Sequence, residues 1–201
     1  MNHKWKLILG VTGLCLLMIL AYVSYQTLSA RYQPDVSLQN PANNQTTDNA
    51  TTQEGSAEES VVNRAPDFTV FDADGNEVQL SNYIGKPIVL NFWASWCPPC
   101  KGEMPHFEEA YNECGEEIQF LMIDMVDGKR ETQQKGEQFI KDQGYQFPVL
   151  YDTKQNAAIT YGVYSLPTTY FIDKAGTIVA SAGGAINKQA LLKGIEMIRS
   201  Q

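Results

Sequence analysis

Two cysteines, Cys97 and Cys100, stand two residues apart in Trp96-Cys97-Pro98-Pro99-Cys100, at the seam between an apolar run and a stretch of helix-forming residues. The run Pro87-Ile88-Val89-Leu90-Asn91-Phe92-Trp93-Ala94 is short and rich in β-branched and aromatic side chains, which predicts a buried strand. Lys101 to Tyr111 has helical composition. At such a junction Cys97 meets the unpaired N–H groups and the positive dipole end of a helix. That environment stabilises a thiolate and can bring a cysteine pKa from about 8.5 into the range ~3.5–7.5. Cys100, one turn further on, is close enough to close a disulfide with Cys97. Pro98 and Pro99 suit the first helical turn, where a missing N–H costs nothing and φ is already set.

The same pair could serve as a structural disulfide, half a zinc site or two inert thiols. Zinc needs more ligands, and the candidates are His106, Cys114 and Cys15. On a continuous helix Cys114 would lie roughly 21 Å beyond Cys100, so no metal site is expected. Redox exchange is the favoured chemistry, because a Cys-x-x-Cys pair in a strand–helix context is its usual setting.

The elements that must position this pair occupy only part of the chain. Its 201 residues and formal charge of −8 suggest one domain with appendages. Residues 64–201 hold 12 Lys and Arg against 18 Asp and Glu, and this acidic balance without a basic stripe argues against nucleic acid as a partner. Residues 7–28 carry no charge and as a helix would span about 33 Å, enough to cross a bilayer. Lys4 and Lys6 precede that run and Arg31 follows it, which predicts residues 1–6 in the cytoplasm and the remainder outside. A cleavable signal peptide is the rival reading. The length of the run and the poor cleavage sequence Leu28-Ser29-Ala30 favour an uncleaved anchor. Residues 29–63, rich in Gln, Asn, Thr and Ser, read as a disordered spacer.

From residue 64 onward the pattern alternates. A hairpin is predicted across Asp72-Ala73-Asp74-Gly75-Asn76, flanked by Asp67–Phe71 and Glu77–Leu80. After the redox helix, bent at Pro105 and ending near Gly115, come a strand over Ile118–Val126, a helix over Glu131–Gln143 and a strand over Phe147–Tyr151. A short helix over Gln155–Tyr161, a hairpin of Pro167–Asp173 with Thr177–Ala180, and a last helix over Asn187–Arg199 complete the chain. Leu191, Leu192, Ile195 and Ile198 share one face of that helix. The order predicts an α/β domain over 64–201, a central mixed sheet covered by helices.

Residues 64–201 resemble thioredoxin-fold proteins of the TlpA/ResA-like group, membrane-anchored extracytoplasmic thiol-disulfide oxidoreductases. The resemblance is carried by Ala65-Pro66-Asp67-Phe68, by Val89 through Cys100, by Glu103-Met104-Pro105, by Tyr161-Gly162-Val163 and by Leu166 through Asp173. The N-terminal hairpin and the helix–strand unit at 131–151 are the group's additions to a plain thioredoxin. The resemblance implies that Cys97 is the exposed attacking thiol and Cys100 the buried resolving one, with no cofactor beyond the redox-active pair. It implies a cis peptide at Pro167, leaving the Leu166 backbone to pair with an extended partner peptide. Trp93 and Trp96 read first as packing around the disulfide; Trp96, Pro98, Pro99, Leu166 and Pro167 are the candidate substrate contacts. Glu103, one turn past Cys100, is the candidate carboxylate that relays protons for the pair, because Asn91 stands where thioredoxins carry a buried aspartate. His106 reads as a surface helix residue and Cys114 as a buried free thiol.

The expected activity is reduction of disulfides in exported proteins such as apocytochrome c, fed by a membrane electron donor of the CcdA/DsbD type. An oxidase or isomerase of secreted disulfides is the alternative within the class. A copper-binding chaperone on the same fold is the alternative outside it, although the cysteine spacing is two and residues 161–173 contain no histidine.

Overall fold

A computed structural model of the chain describes residues 63–201 together with Leu17, Met18, Leu20, Tyr22 and Ser24. Those five are helical; the rest of the expected anchor at 7–28, residues 1–6 and the spacer up to residue 62 lie outside the described residues. Among the described residues no helix is long and apolar enough to cross a membrane.

The domain runs β1 (Thr69–Phe71), β2 (Glu77–Gln79), β3 (Ile88–Trp93), α1 (Pro98–Cys114), β4 (Gln119–Asp124), α2 (Gln133–Gln143), β5 (Val149–Tyr151), α3 (Asn156–Thr160), β6 (Thr168–Ile172), β7 (Ile178–Gly183) and α4 (Lys188–Arg199). One seven-stranded sheet results, in the order β2-β1-β5-β4-β3-β6-β7. The pairs β3–β4 and β4–β5 are parallel; the remaining pairs are antiparallel. The predicted hairpin therefore extends the sheet at one edge, through β1 against β5.

Alternation along β3 sorts the core into two layers, as the two-residue period of a strand requires. Ile88, Leu90 and Phe92 face a layer with Phe68, Leu80, Ala157 and Tyr161. Val89 and Trp93 face the other, with Met104 and Phe107 of α1 and Leu191, Ile195 and Ile198 of α4. Every residue of β3 is buried, which explains why its sequence is almost uniformly apolar. The helix α4 sits so close to β6 that a Cβ on Gly194 would collide with the Phe171 ring.

Local signals set most element ends. Thr132 and Asn187 cap α2 and α4 by accepting from the backbone N–H groups of Lys135 and Ala190. Gly144 ends α2 at φ 71°, a left-handed position glycine reaches without strain. Three expectations are corrected. The helix predicted from Glu131 starts at Gln133, because Thr132 takes the cap and Glu131 turns inward as a fully buried side chain. Leu192 is 38% exposed, at the rim of the α4 face rather than within it. The strand predicted over Thr177–Ala180 runs on to Gly183, since its pairing with β6 continues to Thr168.

Candidate active site

The strand β3 delivers the chain to the Ala94–Trp96 loop and α1 starts immediately after it. Cys97 is the N-cap of α1, with Pro98 and Pro99 in the first turn. Cys97 and Cys100 form a disulfide, with Cα atoms 5.3 Å apart. The backbone N–H of Cys100 donates to the Cys97 sulfur at 3.3 Å, and this one first-turn N–H, Pro98 and Pro99 having none, would face a thiolate there after reduction.

Cys97 is only 2% exposed. The exposed thiol that the resemblance implied is thus corrected for the disulfide-bonded state, in which Cys97, bonded to fully buried Cys100, is itself buried. It lines a cavity of about 410 Å³ whose walls include Trp96, Pro98 and Pro99 on one side and Tyr164 and Leu166 on the other. The Leu166–Pro167 peptide is cis. Pro167 is itself buried, so Leu166 forms the wall. Tyr164, which the sequence reading passed over, stands almost fully exposed at the rim. Trp93 is wholly buried, whereas Trp96 is half-buried with the Arg130 guanidinium 3.4 Å from its ring centroid, within cation–π range.

On the α1 side, Glu103 is 2% exposed, more deeply enclosed than its place near a helix start suggested. Asn91 Nδ2 donates to its Oε1 at 3.0 Å, and the backbone N–H of Ile186 donates to its Oε2 at 2.8 Å. The same Asn91 amide donates to Thr169 Oγ1 at 3.0 Å, across the β3–β6 pairing that sets Asn91 opposite Thr169. Burial raises the Glu103 pKa from 4.5 to about 7, outweighing the two hydrogen bonds that oppose it. A carboxyl poised near neutrality can both take up and release a proton.

A second acidic group lies behind the cysteine loop and was not anticipated. Glu131 is fully buried; its carboxylate accepts from the Ser95 N–H at 2.8 Å and from the Ser95 hydroxyl at 2.8 and 2.9 Å. Asp124, at the end of β4, is also fully buried, and among the described residues neither of its oxygens has a hydrogen-bond partner. Burial, with smaller contributions from the Glu131 and Glu137 charges, pushes its pKa up to about 9. An aspartate closing a strand of the pattern Gln-Phe-Leu-Met-Ile-Asp, on the face shared with Phe120 and Met122, was the available signal.

His106 is half-buried on α1. Cys114 is half-buried rather than buried, a free thiol donating to the Ala110 carbonyl at 3.0 Å, well down the helix from the site. Among the described residues no group of three or more His, Cys, Asp and Glu side chains could hold a metal ion.

Comparison with known proteins places this geometry in context. The AhpC/TSA family matches residues 61–181. The thiol-disulfide oxidoreductase ResA of Geobacillus thermodenitrificans is 35% identical over 136 residues, 67% of this chain and 76% of the relative. ResA of Bacillus thuringiensis strain Al Hakam is 40% identical over 128 residues, 63% of this chain and 72% of the relative. Among solved structures, the pneumococcal exposed lipoprotein thioredoxin Etrx1 of Streptococcus pneumoniae superposes with a TM-score of 0.57 at 35% identity, covering 65% of this chain and 98% of its own. StoA of Bacillus subtilis superposes with a TM-score of 0.56 at 27% identity, covering 65% and 96%.

Proposed function

This chain belongs to the AhpC/TSA family and is a thioredoxin-fold thiol-disulfide oxidoreductase, and from that premise we propose that it reduces disulfides of exported proteins, apocytochrome c among them, outside the membrane that anchors it. The reduced Cys97 thiolate attacks a partner disulfide and expels one partner sulfur. Cys100 then attacks the Cys97 sulfur of the mixed disulfide, releasing the partner as a dithiol and leaving Cys97–Cys100 oxidised. The two electrons lost are restored by a membrane donor of the CcdA/DsbD type. No cofactor beyond the cysteine pair takes part.

The observation that carries the direction is Glu103, buried one turn from Cys100 and held by Asn91 and Ile186. As an acid titrating near neutrality it accepts the Cys100 proton when that thiol must attack. Once ionised, its charge disfavours a thiolate nearby. A Cys-x-x-Cys protein is a strong oxidant when its reduced form is stabilised, so a carboxylate that destabilises the thiolate makes this pair a stronger reductant. The cavity beside Cys97, walled by Trp96, Pro98, Pro99 and Leu166, accommodates an extended segment of the partner. The uncharged run at 7–28 and the polar spacer after it support tethering at the outer membrane face, with residues 1–6 in the cytoplasm.

The test uses full-length Cys100→Ala, reduced, mixed with an oxidised peptide carrying the haem-attachment cysteine pair of an apocytochrome c. A mixed disulfide through Cys97 is expected, and the wild-type protein should reduce the peptide in glutathione buffers poised near −220 to −260 mV. Absence of the adduct, or net oxidation of the reduced peptide by the wild type, would overturn the proposal in favour of an oxidase or isomerase.

A further inference from the structure

The acidic group behind the cysteine loop has no part in the exchange steps above, yet its geometry ties it to Cys97. Asp127 Oδ1 accepts from the Lys129 and Glu131 N–H groups at 2.8 and 2.9 Å, and the Gly128 N–H donates to the Glu131 carbonyl at 2.9 Å. This tight loop turns the Glu131 side chain inward onto Ser95, two residues before Cys97. We propose that Glu131 is a positioning residue for disulfide exchange: through Ser95 it fixes the loop that presents Cys97, and it places a negative charge behind the attacking sulfur, which weakens the thiolate and makes the pair a stronger reductant. The inference rests on the disulfide-exchange activity alone, not on the identity of the partner or the direction of electron flow.

Both Glu131 oxygens accept from Ser95, one from its backbone N–H and both from its hydroxyl. Asp124 is fully buried, has no donor among the described residues and faces Glu131 and Glu137, so it is the member that stays protonated. Gly136 of α2 packs directly on the Asp124 carboxyl, where a Cβ would collide with it, leaving no space for a neutralising side chain. The other charged groups around the loop are Asp127, committed to backbone donors, Arg130, stacked on Trp96, Lys129 within the loop, and Lys135, whose ammonium donates to the Lys129 and Arg130 carbonyls at 3.1 and 2.8 Å. Glu103, on α1 one turn past Cys100, is a further buried acid near the pair. With a 2.8 Å contact to Ser95 and two residues of chain to Cys97, the charge lies within roughly 10 Å of the sulfur. At an effective dielectric constant of about 20 this corresponds to roughly a tenfold change in thiolate population.

Glu131→Gln separates charge from position. A glutamine oxygen can accept from the Ser95 N–H while its amide donates to the Ser95 hydroxyl, so the loop stays in place and the charge is lost. In the reduced protein, the Cys97 thiolate fraction below its pKa, read by ultraviolet absorbance, is expected to rise about tenfold, with the equilibrium against glutathione moving toward the oxidant side. Asp124→Asn should leave both unchanged at pH 7. Glu131→Ala, which loses position as well, should slow disulfide exchange, with Gln restoring the rate. A folded Gln variant whose thiolate fraction moves by less than about twofold, or an Asn variant that shifts it equally, overturns the proposal. So does carboxyl ¹³C NMR of the wild type, which needs no variant, if it shows Glu131 protonated at pH 7 or unresponsive to the Cys97 titration.

Discussion

Replacing Glu103 with glutamine tests the buried acid through stability rather than activity. Burial dominates its shift, from 4.5 to about 7, so the folded protein holds this proton more tightly than the unfolded chain does. The sign follows. The folded state is most favoured below pH 4.5, and stability is lost as pH rises from 4.5 through 7, a total of about 3 kcal/mol. Glutamine does not titrate and should be accommodated. Its oxygen can accept from the Ile186 N–H. Its amide can donate to Asn91 Oδ1, which has no partner among the described residues, once the Asn91 amide turns over and the Thr169 hydroxyl donates in place of accepting. Urea unfolding of the oxidised wild type and Glu103→Gln at pH 5 and pH 8 measures the difference directly. The variant should gain about 2–3 kcal/mol on the wild type between the two pH values. Other titrating groups, Asp124 included, are common to both proteins and cancel. An identical gap at pH 5 and pH 8 would show that Glu103 ionises normally, and the proton-relay reading would lose its basis.

Two further outcomes follow from the packing. Asp124→Asn should be more stable than the wild type at pH 8, with the advantage shrinking toward pH 4, because a carboxyl raised to about 9 contributes stability that is lost as pH climbs from its ordinary range; urea titrations at both pH values read this. Gly194→Ala should lower stability by about 1–3 kcal/mol, since its methyl group meets the Phe171 ring in a filled core, and thermal unfolding of oxidised protein detects it; an unchanged midpoint would refute the close approach of α4 to β6.

The redox pair and its setting could be read from the chain because their causes are local. An apolar strand of six residues, two prolines suited to a first helical turn and a cysteine in the capping position are properties of residues 88–100 alone, and the structure shows each. The turn at Asp72–Asn76 and the α2 stop at Gly144 are equally local. Contacts between distant segments could not be read this way. Glu103 owes its burial to Asn91 and to the Ile186 N–H, 83 residues away, so its enclosure exists only when α1, β3 and the loop after β7 come together. Glu131 looked like the first residue of a helix, and its tie to Ser95 spans 36 residues. Asp124 fell inside the strand predicted over Ile118–Val126 and drew no separate reading; its enclosure comes from α2, which covers it through Gly136. Pattern and propensity report whether a residue suits an element; the desolvation of a carboxyl depends on what the other elements bring against it, and that is decided by tertiary packing.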